Sequence, residues 1–131
     1  MTELTDILNE IKNKKYITLE QLQELDSMFG NRFWNGLQLS VQNTVKKYIF
    51  KPSNREVWIV SSESRDYYTL DDYFCNCKDF FIRIVMRRES KFCKHILAKL
   101  FSIAFNNFET IEMDDDRYIA LIEEWREFEN M

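Results

Sequence analysis

The chain has 131 residues, of which 45% are hydrophobic and 15% aromatic, with two glycines and one proline. This composition excludes a disordered chain, which would be poor in aromatic residues and rich in proline and glycine, and the length suits one domain. The net charge of −4 excludes a uniformly basic nucleic-acid binder. The sequence has no secretory signal and no apolar run near the ~18 residues of a membrane span, so we expect no membrane association and a reducing compartment.

Three helices are predicted in the first third of the chain. Leucine and isoleucine recur at helical spacing over residues 2–13, which indicates a short amphipathic helix. A second helix is expected to begin at Thr18, which has capping-box spacing with Gln21, and to end at Gly30. Apolar residues within 33–41 predict a third short helix.

A small antiparallel sheet is predicted to follow. Residues 44–50 are rich in β-branched and aromatic side chains, and 57–60 is a short apolar run. Turn residues separate these segments, and a third strand over 67–74 leads directly into Cys75. We read this pattern as a β-meander that delivers Cys75 to the end of a strand.

Helices are expected again in the last third of the chain. Residues 79–87 alternate irregularly and fit either strand or helix. A helix is predicted from Cys93 onward, because apolar residues recur there at helical spacing. A final acidic helix is predicted to begin near Asp114, since acidic side chains suit the positive end of the helix dipole.

All three cysteines and the one histidine of the chain fall in a single short window, as Cys75-Asn76-Cys77 and Cys93-Lys94-His95. Residues two apart in an extended segment point to one side, and the start of a helix favours thiolate over thiol. Structural zinc takes four such ligands in a closed tetrahedral site. We therefore predict one structural Zn²⁺ per chain, with the ligands Cys75, Cys77, Cys93 and His95.

These four residues also admit other interpretations. A redox-active pair of Cys75 and Cys77 would leave the second pair unexplained. A nucleophile–base pair of Cys93 and His95 is disfavoured, because side chains two apart on a helix diverge. Buried cysteines of no function and an iron–sulfur cluster stay open as alternatives. No catalytic signature is present, so we expect that the protein is not an enzyme.

The motif Cys75-x-Cys77, Cys93-x-His95, followed by Ala98, resembles the SWIM zinc-finger pattern. The order of the predicted elements is also similar, with helices first, then a β-meander, and then the segments "CNC" and "CKHILAKL". Residues 25–105 therefore resemble the small SWIM subunits of Shu complexes. The resemblance implies that Cys75, Cys77, Cys93 and His95 are the zinc ligands. It also implies that Ala98 is the small residue that lets its helix pack near the site, and it carries over no catalytic residue.

The resemblance also implies a function. Such subunits form a heterodimer with a RecA-like recombinase paralogue. The pair promotes or stabilises the recombinase filament on single-stranded DNA during homologous recombination, in DNA repair and meiosis, which would place the protein in the nucleus. Two rival functions stay open: a stand-alone nucleic-acid-binding zinc module, and a protein-interaction finger in a ubiquitin-ligase-type system.

A basic segment surrounds the motif. Residues 78–99 contain seven basic residues against two acids, with phenylalanines between them, a pattern that could grip phosphates and stack bases. The alternative is a solvated loop over a metal site. Residues 109–129 contain nine acids and would repel a phosphate backbone. The candidate DNA contacts are Lys78, Arg83, Arg87, Arg88, Lys91 and Lys94.

Taken together, the sequence predicts a single α+β domain over residues 1–131. It has an N-terminal helical part (1–42), a SWIM-type zinc-binding core (43–105) and a C-terminal acidic helix (106–131). The zinc site is expected where the small antiparallel sheet meets the following helix.

Overall fold

The fold is α+β, with helices on both faces of one sheet. The structure is a computed structural model that describes residues 4–62, 65–70, 74–75, 77 and 92–126. No helix within these described ranges is both long and apolar enough to cross a membrane.

Three helices open the chain as the sequence predicts: α1 (Leu4–Lys14), α2 (Leu19–Phe29) and α3 (Asn31–Val41). The capping box before α2 is complete, because the Thr18 hydroxyl accepts from the Gln21 N–H at 3.2 Å and the Gln21 side chain accepts from the Thr18 N–H at 3.0 Å. Gly30 lies between α2 and α3 with φ of 58°, a conformation that favours glycine. The two predicted boundaries at Thr18 and Gly30 are therefore confirmed.

The sheet has five strands in the order β4-β3-β2-β1-β5. Neighbouring strands pair antiparallel except for β5, which runs parallel to β1. Two further helices follow the first four strands, one on each side of β5 in the chain. The bounds of these elements are β1 Val45–Lys51, β2 Arg55–Ser62, β3 Arg65–Leu70, β4 Phe74–Cys75, α4 Lys94–Phe105, β5 Glu109–Asp114 and α5 Tyr118–Arg126.

Two details of the predicted sheet are wrong. The segment 67–74 is not one strand, because β3 ends at Leu70 and β4 returns antiparallel to it. The sheet is mixed rather than wholly antiparallel, because β5 lies within the segment that was assigned to the acidic helix. That helix, α5, begins at Tyr118 after a single 3₁₀ turn. A parallel pair needs a crossover connection, and α4 lies between β1 and β5 in the chain to provide it.

Helix α4 lies at the centre of the molecule, since three consecutive residues on it enter three different apolar clusters. Ile96 packs beside the cysteines, Leu97 packs with α1, α2 and α3, and Ala98 packs against the sheet. All three side chains are 0% exposed. The opposite face of the sheet is covered by α5, which contributes Tyr118 and Leu121. The position of α4 therefore depends on both the helical layer and the sheet.

Gly36 permits the close crossing of α3 and α4. A Cβ atom added at Gly36 would lie 2.9 Å from the Lys94 carbonyl oxygen and 3.0 Å from the Leu97 Cβ. The Ser40 and Ser102 hydroxyls share a buried hydrogen bond of 2.9 Å between the same two helices. The first turn of α4 is thus held directly against the α3 backbone.

Candidate metal centre

The four predicted ligands come together where the sheet meets α4. Cys75 ends β4 and Cys77 follows two residues later, while Cys93 is the N-cap of α4 and His95 lies in its first turn. Their ligand atoms all lie within 4.8 Å of one another, and all four residues are buried. This spacing places three sulfurs and one imidazole around a single point, as tetrahedral coordination of a metal ion requires.

The histidine fits a metal better than it fits a simple core position. His95 is 2% exposed, and neither of its ring nitrogens has a hydrogen-bond partner among the described residues. A buried polar nitrogen without a partner is costly, so such groups are rare in native structures and call for an explanation. A metal ion bonded to one nitrogen would remove part of this cost.

The cysteines affect one another's ionisation strongly. Hydrogen bonds from Cys75 and Cys93 hold the pKa of Cys77 far below its usual range, whereas burial raises the pKa of Cys75 well above it. For Cys93, the hydrogen bond with Cys75 lowers the pKa, but the hydrogen bond with Cys77, burial and the Cys77 charge outweigh it and raise the pKa to about 12. One thiolate therefore suppresses the ionisation of its neighbours.

Because the cysteines suppress one another's ionisation, this set of ligands needs a bound cation. Like charges at close range disfavour each other's ionised form, and a bound cation reverses that effect. Three buried sulfurs can all act as thiolate ligands only beside a cation. The helix start contributes as predicted, because the Ile96 backbone N–H lowers the pKa of Cys93, but the hydrogen bond and charge of Cys77 outweigh this effect.

Tyr67 is a neighbour of the site that the sequence interpretation missed. Its ring stacks on the His95 imidazole with ring centroids 4.1 Å apart and an angle of 28° between the planes. Thr69 pairs with Cys75 across β3 and β4, so Tyr67, two residues before Thr69, shares the face that carries Cys75. Only the strand register reveals this contact, since β3 was expected to continue into Cys75.

Ala98 and the candidate DNA contacts occupy different places. Ala98 is fully buried against Leu39, Val45 and Trp58, one turn after His95, so its small side chain lies between α4 and the sheet. Lys94 lies in the first turn of α4 between two of the ligands and is partly exposed. The other candidate DNA contacts lie outside the described residues; they are Lys78, Arg83, Arg87, Arg88 and Lys91.

Comparison with known proteins identifies the family. Zinc finger SWIM domain-containing protein 7 homolog from Dictyostelium discoideum is 30% identical over 125 residues, which cover 92% of this chain and 80% of that protein. The chain belongs to this SWIM domain-containing protein 7 family. The mouse protein of the family is 27% identical, again over 92% of this chain and 80% of its own length, and the human protein is 26% identical over 91% and 86%. No protein-family model or solved structure matches the chain.

Membership of the SWIM domain-containing protein 7 family confirms the resemblance drawn from the cysteine and histidine spacing. The family name describes a zinc finger, and the chain has one buried group of three cysteines and a histidine that is positioned to hold a metal ion. The predicted α+β fold with this cluster at the sheet–helix junction is also confirmed.

Proposed function

We propose that this SWIM-family chain is a non-enzymatic subunit of a Shu-type complex. It would pair with a RecA-like recombinase paralogue in a heterodimer and promote or stabilise the recombinase filament on single-stranded DNA. The work would take place in the nucleus, during homologous recombination in DNA repair and meiosis. The observation that carries the proposal is the buried four-donor cluster in a chain that is similar to SWIM proteins over nearly its whole length.

The metal in this proposal is one structural zinc ion, with Cys75, Cys77, Cys93 and His95 as its ligands. Catalytic zinc normally keeps three protein ligands and an open position for water or substrate. Four donors within 4.8 Å of one another, all buried, instead favour a closed site that excludes substrate. The zinc would fasten the end of β4 to the first turn of α4, and its role would be to stabilise the domain.

The pairing with a recombinase paralogue is tested by recovering the protein from its own cells. A mild affinity tag would be placed on the chain, and its stoichiometric partners would be identified by mass spectrometry. We expect a single RecA-like paralogue at a one-to-one ratio, recovered with the wild-type chain and reduced for a Cys93→Ser variant. The exposed-surface variant Asn35→Ala serves as the matched control and should recover the paralogue fully.

The outcome separates the proposal from its rivals. Recovery of nucleic acid without a paralogue would favour a stand-alone nucleic-acid-binding zinc module. Recovery of ubiquitin-transfer enzymes in its place would favour a protein-interaction finger. Either result would contradict the Shu-type assignment and leave the metal site itself untouched.

A further inference from the structure

Strand β5 forms an edge of the sheet. It pairs with β1 on one side, and within the described residues no strand pairs with its other side. It is six residues long, and every one of its residues pairs with β1, from Glu109 opposite Lys46 to Asp114 opposite Lys51. An edge of this kind presents unpaired backbone groups that can accept another strand.

The register determines which backbone groups point outward. The Ser61 N–H donates to the Thr44 carbonyl at 3.0 Å, so alternate residues of β1 from Thr44 onward direct their backbone groups toward β2. The residues between them, such as Lys47, must then direct theirs toward β5. In parallel pairing with this register, Glu109, Ile111 and Met113 bond to β1. The outward-pointing groups are therefore the N–H and C=O of Thr110 and Glu112 and the N–H of Asp114. The Asp114 carbonyl is the N-cap acceptor of the following 3₁₀ turn.

The two faces of β5 have different character. Thr110, Glu112 and Asp114 are exposed side chains on one face. On the other face, Glu109 is exposed at the start of the strand, Ile111 is partly buried, and Met113 packs against the cluster that α5 covers. A strand added at this edge would therefore place apolar residues beside Ile111 and Met113, and polar residues beside Glu112 and Asp114.

The charge of the edge selects its occupant. Glu109, Glu112 and Asp114 have no ion pair among the described residues. The 3₁₀ turn after β5 adds one exposed acid, Asp116, and one exposed base, Arg117, so the acidic character of the edge comes from the strand itself. A second copy of the chain would bring the same acids against them, and like charges opposite each other are destabilising in a sheet. The complementary occupant is a strand with basic side chains on one face and apolar side chains on the other.

We propose that β5 is the docking edge for an extended segment of a partner protein with alternating basic and apolar residues. The proposal rests on the proposed function, because it assigns this segment to the RecA-like paralogue. The added strand pairs with the outward groups of Thr110, Glu112 and Asp114. Main-chain hydrogen bonds supply affinity in strand addition, and the alternating side chains supply specificity.

Glu112 allows a test that isolates the backbone contribution. Glu112→Pro removes an outward N–H and leaves the bonds to β1 in place, since proline is tolerated at a sheet edge. Glu112→Thr removes the same carboxylate but keeps the N–H, so it is the matched control. The tagged variants are expressed in the protein's own cells, and the paralogue that is recovered with each is measured by mass spectrometry. We expect Glu112→Pro to recover at least about tenfold less paralogue than Glu112→Thr, and Glu112→Lys to recover less than Glu112→Thr.

A second measurement covers the case in which the proline variant fails to fold. Hydrogen exchange of the wild-type chain is followed by mass spectrometry, alone and in the purified heterodimer. We expect peptides that span 109–114 to exchange more slowly in the heterodimer. Equal recovery of the paralogue by the proline and threonine variants, or unchanged exchange over 109–114, would overturn the docking edge while leaving the proposed function intact. Failure of the wild-type chain to recover any paralogue would overturn both.

Discussion

His95 shows how one buried side chain constrains the chemistry of the site. Its two ring nitrogens are buried, lack hydrogen-bond partners among the described residues, and lie beside three sulfurs. Removing a polar side chain from water without giving it a partner costs about 1–3 kcal/mol in proteins. A bond to a metal ion would offset this cost. The histidine and the three cysteines are therefore best understood as one set of metal ligands.

Substitution of a ligand should therefore remove the metal and destabilise the protein. We expect Cys93→Ser and His95→Ala each to lower zinc affinity by at least about 100-fold, because loss of a ligand should exceed the 10- to 100-fold loss seen for outer partners. The variants should be insoluble or should fail to bind the proposed partner. Zinc content of the purified variants and their thermal unfolding check this. Normal folding and partner binding by both variants would contradict the metal site.

Tyr67 should orient the His95 ring. Its stacking contact fixes the imidazole plane, and neighbours that orient a ligand typically change metal affinity by about 10- to 100-fold when removed. We expect Tyr67→Ala to weaken zinc binding by about tenfold, measured by competition with a coloured chelator. Tyr67→Phe keeps the ring and is the control. If the alanine variant holds zinc as tightly as the phenylalanine variant, the stacking has no role in the site.

The residues of the metal site differ in how far sequence could reveal them. Cys75, Cys77, Cys93 and His95 could be chosen because zinc chemistry restricts ligand types and because no other cysteine or histidine exists in the chain. Tyr67 could not be chosen, because its contact depends on the turn between β3 and β4 and on the resulting register. The burial of the four ligands could not be read from the sequence either, because it results from packing around α4.

At the scale of elements, Gly36 governs the contact between α3 and α4. Alanine normally stabilises a helix relative to glycine by about 1 kcal/mol. At this position the added Cβ would meet the Lys94 carbonyl oxygen at 2.9 Å, and backbone atoms cannot move as a flexible side chain can. We expect Gly36→Ala to lower the free energy of unfolding by about 1–3 kcal/mol, the usual cost of overpacking, as measured by urea denaturation.

A neighbouring position provides the control for this expectation. Asn35 precedes Gly36 on α3 and is exposed, so Asn35→Ala tests helix propensity without the close crossing. A stabilised Gly36→Ala variant would mean that α4 can shift away freely. A destabilised variant that also loses zinc would show that the crossing positions Cys93 and His95, which flank Lys94.

The elements follow the sequence where local chemistry determines them. The cap at Thr18, the glycine at Gly30 and the helix from Cys93 are set by nearby residues, and each was predicted. Strand β5 was not predicted, because its sequence is acidic and only Ile111 and Met113 are apolar within it. Its pairing with β1 depends on the crossover through α4, which joins segments about 60 residues apart and leaves no local pattern.

The basic segment over residues 78–99 is tested separately from the metal site. In the proposed heterodimer, we expect the triple variant Arg87→Ala, Arg88→Ala and Lys91→Ala to bind single-stranded DNA more weakly and with a shallower salt dependence than the wild-type chain. Each lost phosphate contact removes about 0.7 from the slope of log affinity against log salt for a single strand. The double variant Lys12→Ala and Lys14→Ala on α1 removes two positive charges against three and is the control for a general loss of positive charge. An unchanged affinity and slope in the triple variant would show that this segment is not the DNA surface.

At the scale of the whole molecule, the metal site and the core share α4. The helix carries Cys93 at its N-cap and His95 in its first turn, and its next residues pack against α1, α3 and the sheet. Loss of the metal should therefore spread beyond the ligands. Zinc binding contributes folding free energy directly in small domains that bind it.

Chelation should show this coupling. We expect a strong chelator to lower the thermal unfolding midpoint of the purified protein and to reduce recovery of the proposed partner, with both restored when zinc is added back. Magnesium, which prefers oxygen ligands, is the control and should restore neither. An unfolding midpoint that does not change on chelation would show that the helices and sheet hold α4 without the metal.

The measurement that tests the central claim most directly is the metal content of the protein purified without added metal, by native mass spectrometry together with elemental analysis. The account predicts one zinc per wild-type chain and a loss of that zinc in the Cys93→Ser variant. Iron and inorganic sulfide in place of zinc, or a folded wild-type chain that holds no metal, would contradict it.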